Sequence, residues 1–199
     1  MTKENILNVA TNEFTVYGYD AVSMNQLASK LAVNKATIYY HFKDKQSLYQ
    51  EVIKNLIISN QENIQKVLSS SLEPKEKFKA YIKEFIQAIK NKPQIVALSL
   101  REMANYGGNV DEQLVPYIEQ EIEYLRLAIV GLPLKEKYKT LDMYLLKSVI
   151  LGTVSHYYAF EMSDLEFKGL TPFNKNSEDV LNFTNDFLVD FILDALCEI

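Results

Sequence analysis

An all-α chain is predicted, and three observations predict it. Apolar residues recur at three- and four-residue spacing along most of the sequence. The alternating pattern of half-buried strands is missing, and no internal repeat or low-complexity stretch interrupts the helical one. The periodic runs are also bounded by capping residues, prolines and glycines placed where helices start and stop. With 48% hydrophobic and 24% charged residues in a chain of 199, the composition is that of a globular protein able to bury one good core or two small ones.

The first helix carries Ile6, Leu7, Ala10, Phe14 and Tyr17 on one face, and Gly18 is expected to end it as a left-handed cap. Ser23 and Gln26 form a capping box, which starts a second helix at Met24. Asn34 is the next N-cap, and Ile38 and Phe42, four apart, give a third helix its inward face. Lys35, Ala36 and Thr37 then fall in the exposed first turn, and Tyr40 and His41 extend the same outer surface. A cation, a small residue, a hydroxyl and a helix end in one turn suit a DNA groove, where short side chains let the backbone approach base edges. The first stripe is expected to pack on Leu27, Leu31, Ile38 and Phe42, with the turn at Ala32-Val33 orienting the third helix.

Asp44 caps a linking helix expected over about 45–69, whose stripe of Leu48, Val52, Ile53, Leu56, Ile57, Ile64 and Leu68 runs to Ser69-Ser70-Ser71. Further helices are expected over 74–90, from Pro93 to the stop at Gly107-Gly108, over 111–130, over 140–162 and over 178–199. The last two are the most apolar. Val180, Leu181, Phe183, Phe187, Leu188, Val189, Phe191, Ile192, Leu193 and Leu196 cover a wider arc than one partner face needs. Small residues Ser148, Gly152 and Ser155 on the preceding helix permit close approach. A twofold dimer is therefore expected, its four-helix interface including Ser148, Gly152, Ser155, Val180, Phe183, Phe187 and Phe191.

Charge and chemistry narrow the function. The net charge is -5, but residues 1–50 hold five lysines against four acids, while the remainder carries -6. A near-neutral head on an acidic body is compatible with local DNA contact and argues against coating nucleic acid non-specifically. Cys197 is the single cysteine, so no intramolecular disulfide or cysteine-based zinc cluster can form, in keeping with a reducing compartment. No apolar run reaches the roughly 20 residues of a membrane span, and Met1-Thr2-Lys3-Glu4-Asn5 lacks the apolar core of a secretion signal, so a cytoplasmic protein is expected. His41 and His156 lie in different expected domains, and neither a catalytic triad, a metal site nor a phosphate-cradling glycine loop is indicated. No enzymatic activity and no cofactor are expected.

The order of residues adds a resemblance. Gly18-Tyr19-Asp20-Ala21-Val22-Ser23, Leu27-Ala28, Val33-Asn34-Lys35-Ala36-Thr37-Ile38-Tyr39-Tyr40-His41-Phe42, Asp44-Lys45 and Leu48 resemble the N-terminal domain of the TetR family of transcriptional regulators, from about Ile6 to Leu48. Ala32 departs from it, since family members usually carry glycine at that turn, and alanine costs about 1 kcal/mol there. The resemblance implies a helix-turn-helix DNA-binding domain over 1–48 and a C-terminal effector-binding and dimerisation domain over 72–199. It implies a homodimeric, sequence-specific transcriptional regulator of a palindromic operator, a repressor released by a small hydrophobic or aromatic effector.

Carried onto matching positions, Lys35, Ala36 and Thr37 would face bases, and Ser23, Tyr39, Tyr40, His41 and Lys45 would contact or flank phosphates. Lys45 reads equally as a solvated surface lysine. No arginine lies in residues 1–50, so base readout would use Lys35, Thr37, Tyr40 and backbone groups, supplemented by DNA shape. Met103, Tyr106, Tyr144, His156, Tyr157, Tyr158, Phe160 and Met162 combine adaptable or aromatic surface with hydrogen-bonding groups, as pocket linings do. At helical spacing each also reads as plain core or interface. Two rival readings are a TetR-like protein-interaction module without an operator, and a small-molecule carrier or enzyme built on the C-terminal domain.

Overall fold

The computed structural model describes residues 2–161 and 178–198, with backbone only for residues 160, 161 and 178–184. Its helices are α1 (Lys3–Ala21), α2 (Met24–Lys30), α3 (Lys35–His41), α4 (Lys45–Ile57), α5 (Gln61–Leu68), α6 (Pro74–Asn91), α7 (Gln94–Ala104), α8 (Val115–Ala128), α9 (Met143–Glu161) and α10 (Glu178–Leu196). No strand occurs among the described residues; one isolated antiparallel bridge joins Leu134 and Cys197. The fold class is all-α, as the periodicity predicts.

The chain divides into two compact units, the first Met1–Ser59 with Lys92–Ile118, the second Asn60–Asn91 with Glu119–Ile199. In the first, Ile6, Leu7, Ala10 and Phe14 of α1 share a core with Met24, Leu27, Ala28, Ile38, Phe42, Leu48, Tyr49, Val52 and Leu56. Leu98 of α7 joins that same core, so residues 92–118 go with the head rather than with the stretch from 72 onward. Hydrogen bonds hold them there. The Glu102 carboxylate accepts from the Tyr49 hydroxyl at 2.5 Å and from the Asn109 backbone and side chain at 3.3 and 3.1 Å. Gln46 and Gln50 both donate to the Asn109 carbonyl, at 3.1 and 2.7 Å. Burial, reinforced by the bond to Glu102, pushes the Tyr49 phenol far above its ordinary value, so it stays a donor.

Two expected elements differ in detail. Gly18 interrupts α1 at φ 80°, ψ 169°, an extended region open essentially to glycine alone and not the left-handed cap. A Cβ there would also stand 3.2 Å from the Arg101 guanidinium. The linking helix expected over about 45–69 is two helices, α4 and α5, separated by a 3-10 turn at Ile58–Asn60. Local side-chain bonds compete with the helix there: the Ser59 hydroxyl donates to the Leu56 carbonyl at 2.8 Å, and the Asn60 amide donates to the Glu84 carbonyl at 2.8 Å.

In the second unit α6 packs on α5 and α10. Its core comprises Phe78, Tyr81, Ile82 and Ile86 of α6, Tyr124 and Leu125 of α8, Leu146, Ile150 and Val154 of α9, and Leu188, Val189, Ile192 and Leu196 of α10. The end of α10 is tied to the chain before α9, with Lys135 N–H donating to the Leu196 carbonyl and Glu198 N–H to the Pro133 carbonyl, each at 2.8 Å.

Candidate nucleic-acid interface

Each end of the two-helix element is built by a side chain that the sequence marks. Ser23 Oγ accepts from Gln26 N–H at 3.2 Å while Gln26 Oε1 accepts from Ser23 N–H at 2.8 Å, a complete capping box at the start of α2. After α2 the chain turns through Ala32, which takes φ 52°, and the Val33 N–H donates back to the Ala28 carbonyl at 3.0 Å. Asn34 Oδ1 then accepts from Ala36 N–H at 2.9 Å and opens α3. Ile38 and Phe42 are buried on the inner side, which fixes what faces out.

The outer side of α3 presents Ala36 and Tyr39, with Lys35, Thr37 and His41 half-buried. Tyr40 is 85% exposed and stands against His41 edge to face, ring centroids 5.0 Å apart. Lys35 Nζ lies over the Tyr39 ring at 5.4 Å, which steers the ammonium along the helix surface. Ser23 is exposed at the start of α2. Lysine, hydroxyls and flat rings therefore share one surface, with rigid apolar backing.

Lys45 is placed differently from the expectation. Its ammonium donates to the carbonyls of Tyr19 at 2.8 Å, Val22 at 3.0 Å and Asp20 at 3.5 Å, and lies 4.1 Å over the Tyr19 ring. It ties the carbonyl-rich end of α1 to the first turn of α4, an attachment favoured at a helix C-terminus. An ammonium with three carbonyl partners has no donor left over, so the phosphate contact assigned to Lys45 is replaced by an internal one. Exposed Lys43, between α3 and α4, was passed over in the sequence although it lies two residues away.

The residues expected to line a pocket are divided between the two units. Met103 and Tyr106 lie at the end of α7 in the first unit, 55% and 99% exposed, because Val96, Leu98 and Glu102 take the inner side of that helix. Tyr144 and His156 are exposed on α9; Tyr157 is half-buried and Tyr158 buried. Met162 and the side chain of Phe160 lie outside the described residues. A shallow groove of about 390 Å³ lies instead in the first unit, lined by Tyr17, Gly18, Asp20, Arg101 and Asn105 among others, and the Arg101 guanidinium there already donates to the Val16 carbonyl.

Of the expected dimer residues, Phe187 and Phe191 are each 58% exposed and stack at 6.1 Å. Ser148 is exposed, and a Cβ at Gly152 would meet nothing within 4 Å. Tyr144, Leu145 and Val149 stand exposed on the same helix, and His156 continues the ridge of Ser148 and Gly152 at four-residue steps. Ser155 is a correction: at 1% exposure it is buried within its own chain. The side chains of Val180 and Phe183 lie outside the described residues.

Comparison with known proteins decides the family. Residues 6–52 match the profile of the bacterial regulatory proteins, tetR family, the segment that holds α1, α2, α3 and most of α4. The head of this chain is thus a tetR-family segment, and it holds the two-helix element described above. The HTH-type transcriptional regulator YhgD of Bacillus subtilis is 28% identical over 123 residues, 60% of this chain and 62% of that one. IcaR of Staphylococcus aureus, the negative transcriptional regulator of the biofilm operon icaADBC, is 33% identical over 66 residues, 30% of this chain and 36% of its own. The chain thus spans under two thirds of the length of either relative. A TetR-family regulator from Bordetella parapertussis, 18% identical, superposes with a TM-score of 0.68 over 96% of this chain and 93% of the other, so the shared fold extends well beyond the head. Among the described residues no helix is long and apolar enough to cross a membrane.

Proposed function

We propose that this protein is a homodimeric, sequence-specific DNA-binding repressor, released from a palindromic operator by a small hydrophobic or aromatic effector. The observation that carries the reading is the outer surface of α3, where Lys35, Ala36, Thr37, Tyr39 and Tyr40 face away from the buried Ile38 and Phe42 inside the segment matched to the family. In this reading Lys35 and Thr37 meet base edges and Ala36 permits close approach, while Ser23, Tyr39, Tyr40, His41 and Lys43 meet or flank phosphates. Residues 1–48 form the DNA-binding domain, steadied by α7, and the dimerisation and effector functions belong to the chain from 72 onward apart from residues 92–118, which go with the head. IcaR is named as a negative regulator, which favours repression over activation here.

Pairing through α9 and α10 supplies the second head, because two recognition helices about 34 Å apart can read both halves of a palindrome. Exposed Leu145, Val149, Phe187 and Phe191 support that face, being apolar surface that a monomer would leave in water. Ala32, where the sequence departs from the family pattern, is the feature that would favour an interaction module without an operator. Ala32 accepts the positive φ the turn needs, and the helix-turn-helix forms around it, so nothing specific favours that reading.

The test is a mobility shift of the purified protein on the DNA upstream of its own gene, with scrambled competitor and at two salt concentrations. A salt-sensitive shift that only the specific fragment competes away is expected, and Tyr40→Ala should weaken it while leaving the oligomer unchanged. Binding that scrambled DNA competes equally well would remove operator recognition.

A further inference from the structure

The second unit contains a buried polar cluster that the fold does not complete. Lys147 is the one lysine of α9, and it is 9% exposed. Its ammonium donates to the Tyr81 hydroxyl at 3.1 Å, lies 4.4 Å over the Phe85 ring and approaches Glu121 Oε2 at 3.5 Å. The other oxygen of that carboxylate, Glu121 Oε1, is buried and accepts no hydrogen bond. A carboxylate can accept several, and an unmade bond in the interior is costly. Elsewhere in the same unit the Ser155 hydroxyl of α9 and the side-chain carbonyl of Asn185 of α10, on residues 1% and 5% exposed, also lack partners. Between Lys147 and Ser155, Ile150 and Val154 line the inner side of α9 with apolar surface.

We propose that the Lys147–Glu121 pair is the polar end of the effector site, and that its occupant is a neutral, hydroxyl-bearing apolar molecule whose O–H donates to Glu121 Oε1. The proposal rests on the effector reading above and names the chemistry of the effector. Charge balance selects the class. An anionic ligand would claim Lys147 and leave Glu121 a buried charge without its counter-charge; a cationic ligand would claim Glu121 and strand Lys147 in the same way. A neutral donor keeps the pair intact and supplies the bond that Glu121 lacks. The apolar remainder of the molecule would lodge beside residues such as Ile150 and Val154, which pack closely in the ligand-free chain and must part to admit it.

The experiment compares 1-octanol, octanoate and octylamine, identical in chain and different in head group, at equal submillimolar concentrations. Melting temperature and calorimetric affinity are measured on the full-length protein. Octanol should raise the melting temperature through preferential binding to the folded state, with octanoate and octylamine weaker by about tenfold or more, since each breaks the pair. Glu121→Gln should weaken octanol by about tenfold, the value of a hydrogen bond to a charged group. Should that variant fold poorly, the double variant Lys147→Met/Glu121→Gln removes both charges together and should lose octanol equally. Tighter binding of octanoate or octylamine overturns the assignment, as does undiminished octanol binding by the double variant. No binding of any of the three overturns it too, leaving a buried water as the partner of Glu121. Operator binding of the ligand-free protein is measured on the same preparation, so loss of the ligand result with DNA binding intact sinks the ligand assignment alone, and the converse sinks the regulator reading alone.

Discussion

The two compact units differ in how far each satisfies itself. In the first, the buried acid Glu102 is met by Tyr49 and Asn109, and the Asn109 carbonyl by Gln46 and Gln50. In the second, buried atoms of Gln61, Glu121, Ser155 and Asn185 lack hydrogen-bond partners, whereas exposed apolar side chains occur in both units, Leu100 and Met103 in the first and Leu145, Val149, Phe187 and Phe191 in the second. A reader of DNA gains from arriving rigid, because every side chain immobilised on binding subtracts from affinity. A unit that takes a ligand and a second copy of itself is expected to leave polar atoms and apolar surface open for them. On the proposed reading, the contrast is between a completed element and one that its partners would complete.

The largest effect should come from the open face. Phe187→Glu places a charge on the proposed twofold surface, and sedimentation should find monomers, with operator affinity lower by on the order of 10²-fold because the second head no longer acts at high effective concentration. A soluble, fully dimeric Phe187→Glu protein would move the interface elsewhere and weaken the contrast at its root. Next in size is the closed side. Tyr49→Phe deletes one donor to buried Glu102 and should cost about 1–3 kcal/mol in chemical unfolding. A negligible cost would mean that water reaches Glu102 and that the first unit is less complete than its bonds suggest.

A smaller effect is expected at the cap of α4. Asp44 accepts from the Ser47 N–H and hydroxyl, each at 2.7 Å, and the backbone bond foremost holds its carboxyl below the ordinary carboxylate value. Asp44→Ala should cost about 1 kcal/mol near neutral pH. A carboxyl whose pKa is lowered by folding contributes above its unfolded value of about 4 and loses that contribution as the pH falls through the folded value. The difference between wild type and Asp44→Ala should therefore shrink on acidification below about pH 4. A gap that stays constant into acid would show that the ionised form of the cap contributes nothing.

Much of the head was legible because its helix ends are written in single residues. Ser23, Asn34 and Asp44 each cap the helix they precede, and the pair Ile38 and Phe42 suffices to orient α3. What periodicity conveys is that a helix has an inner face, and it does not say against what. Hence the helical spacing of α7 is readable, yet its place beside α1 and α4 is not, and Met103 and Tyr106, expected at a pocket, stand exposed in the first unit. The break at Ile58–Asn60 was hidden for a related reason, since Ile57 and Ile64 keep the apolar spacing across it. Lys45 was misassigned because its carbonyl partners belong to a helix that ends more than twenty residues earlier in the chain. The open oxygen of Glu121 is only half legible: a glutamate set between Ile118 and Leu125 in the apolar spacing of α8 signals a buried acid, but not whether both its oxygens are met.

The smallest expected effect sharpens the contrast from inside the completed unit, where Ala32 still carries strain. Ala32 holds φ 52° between α2 and α3, a left-handed conformation that costs an alanine about 1–2 kcal/mol. Glycine would relieve that strain but would also free the unfolded chain, which offsets about 0.4–1 kcal/mol of the gain. Ala32→Gly should then stabilise the protein by roughly 0.5–1 kcal/mol, the remainder of those two terms. Operator affinity should stay level, since the turn is already formed and α3 is fixed by Ile38 and Phe42. If affinity rises together with stability, the alanine is distorting the recognition helix, and the first unit is rigid without being correctly set. If stability falls, the entropy of glycine outweighs the strain, and the turn is held in place by the surrounding core, to which Leu31 and Val33 contribute on either side of it.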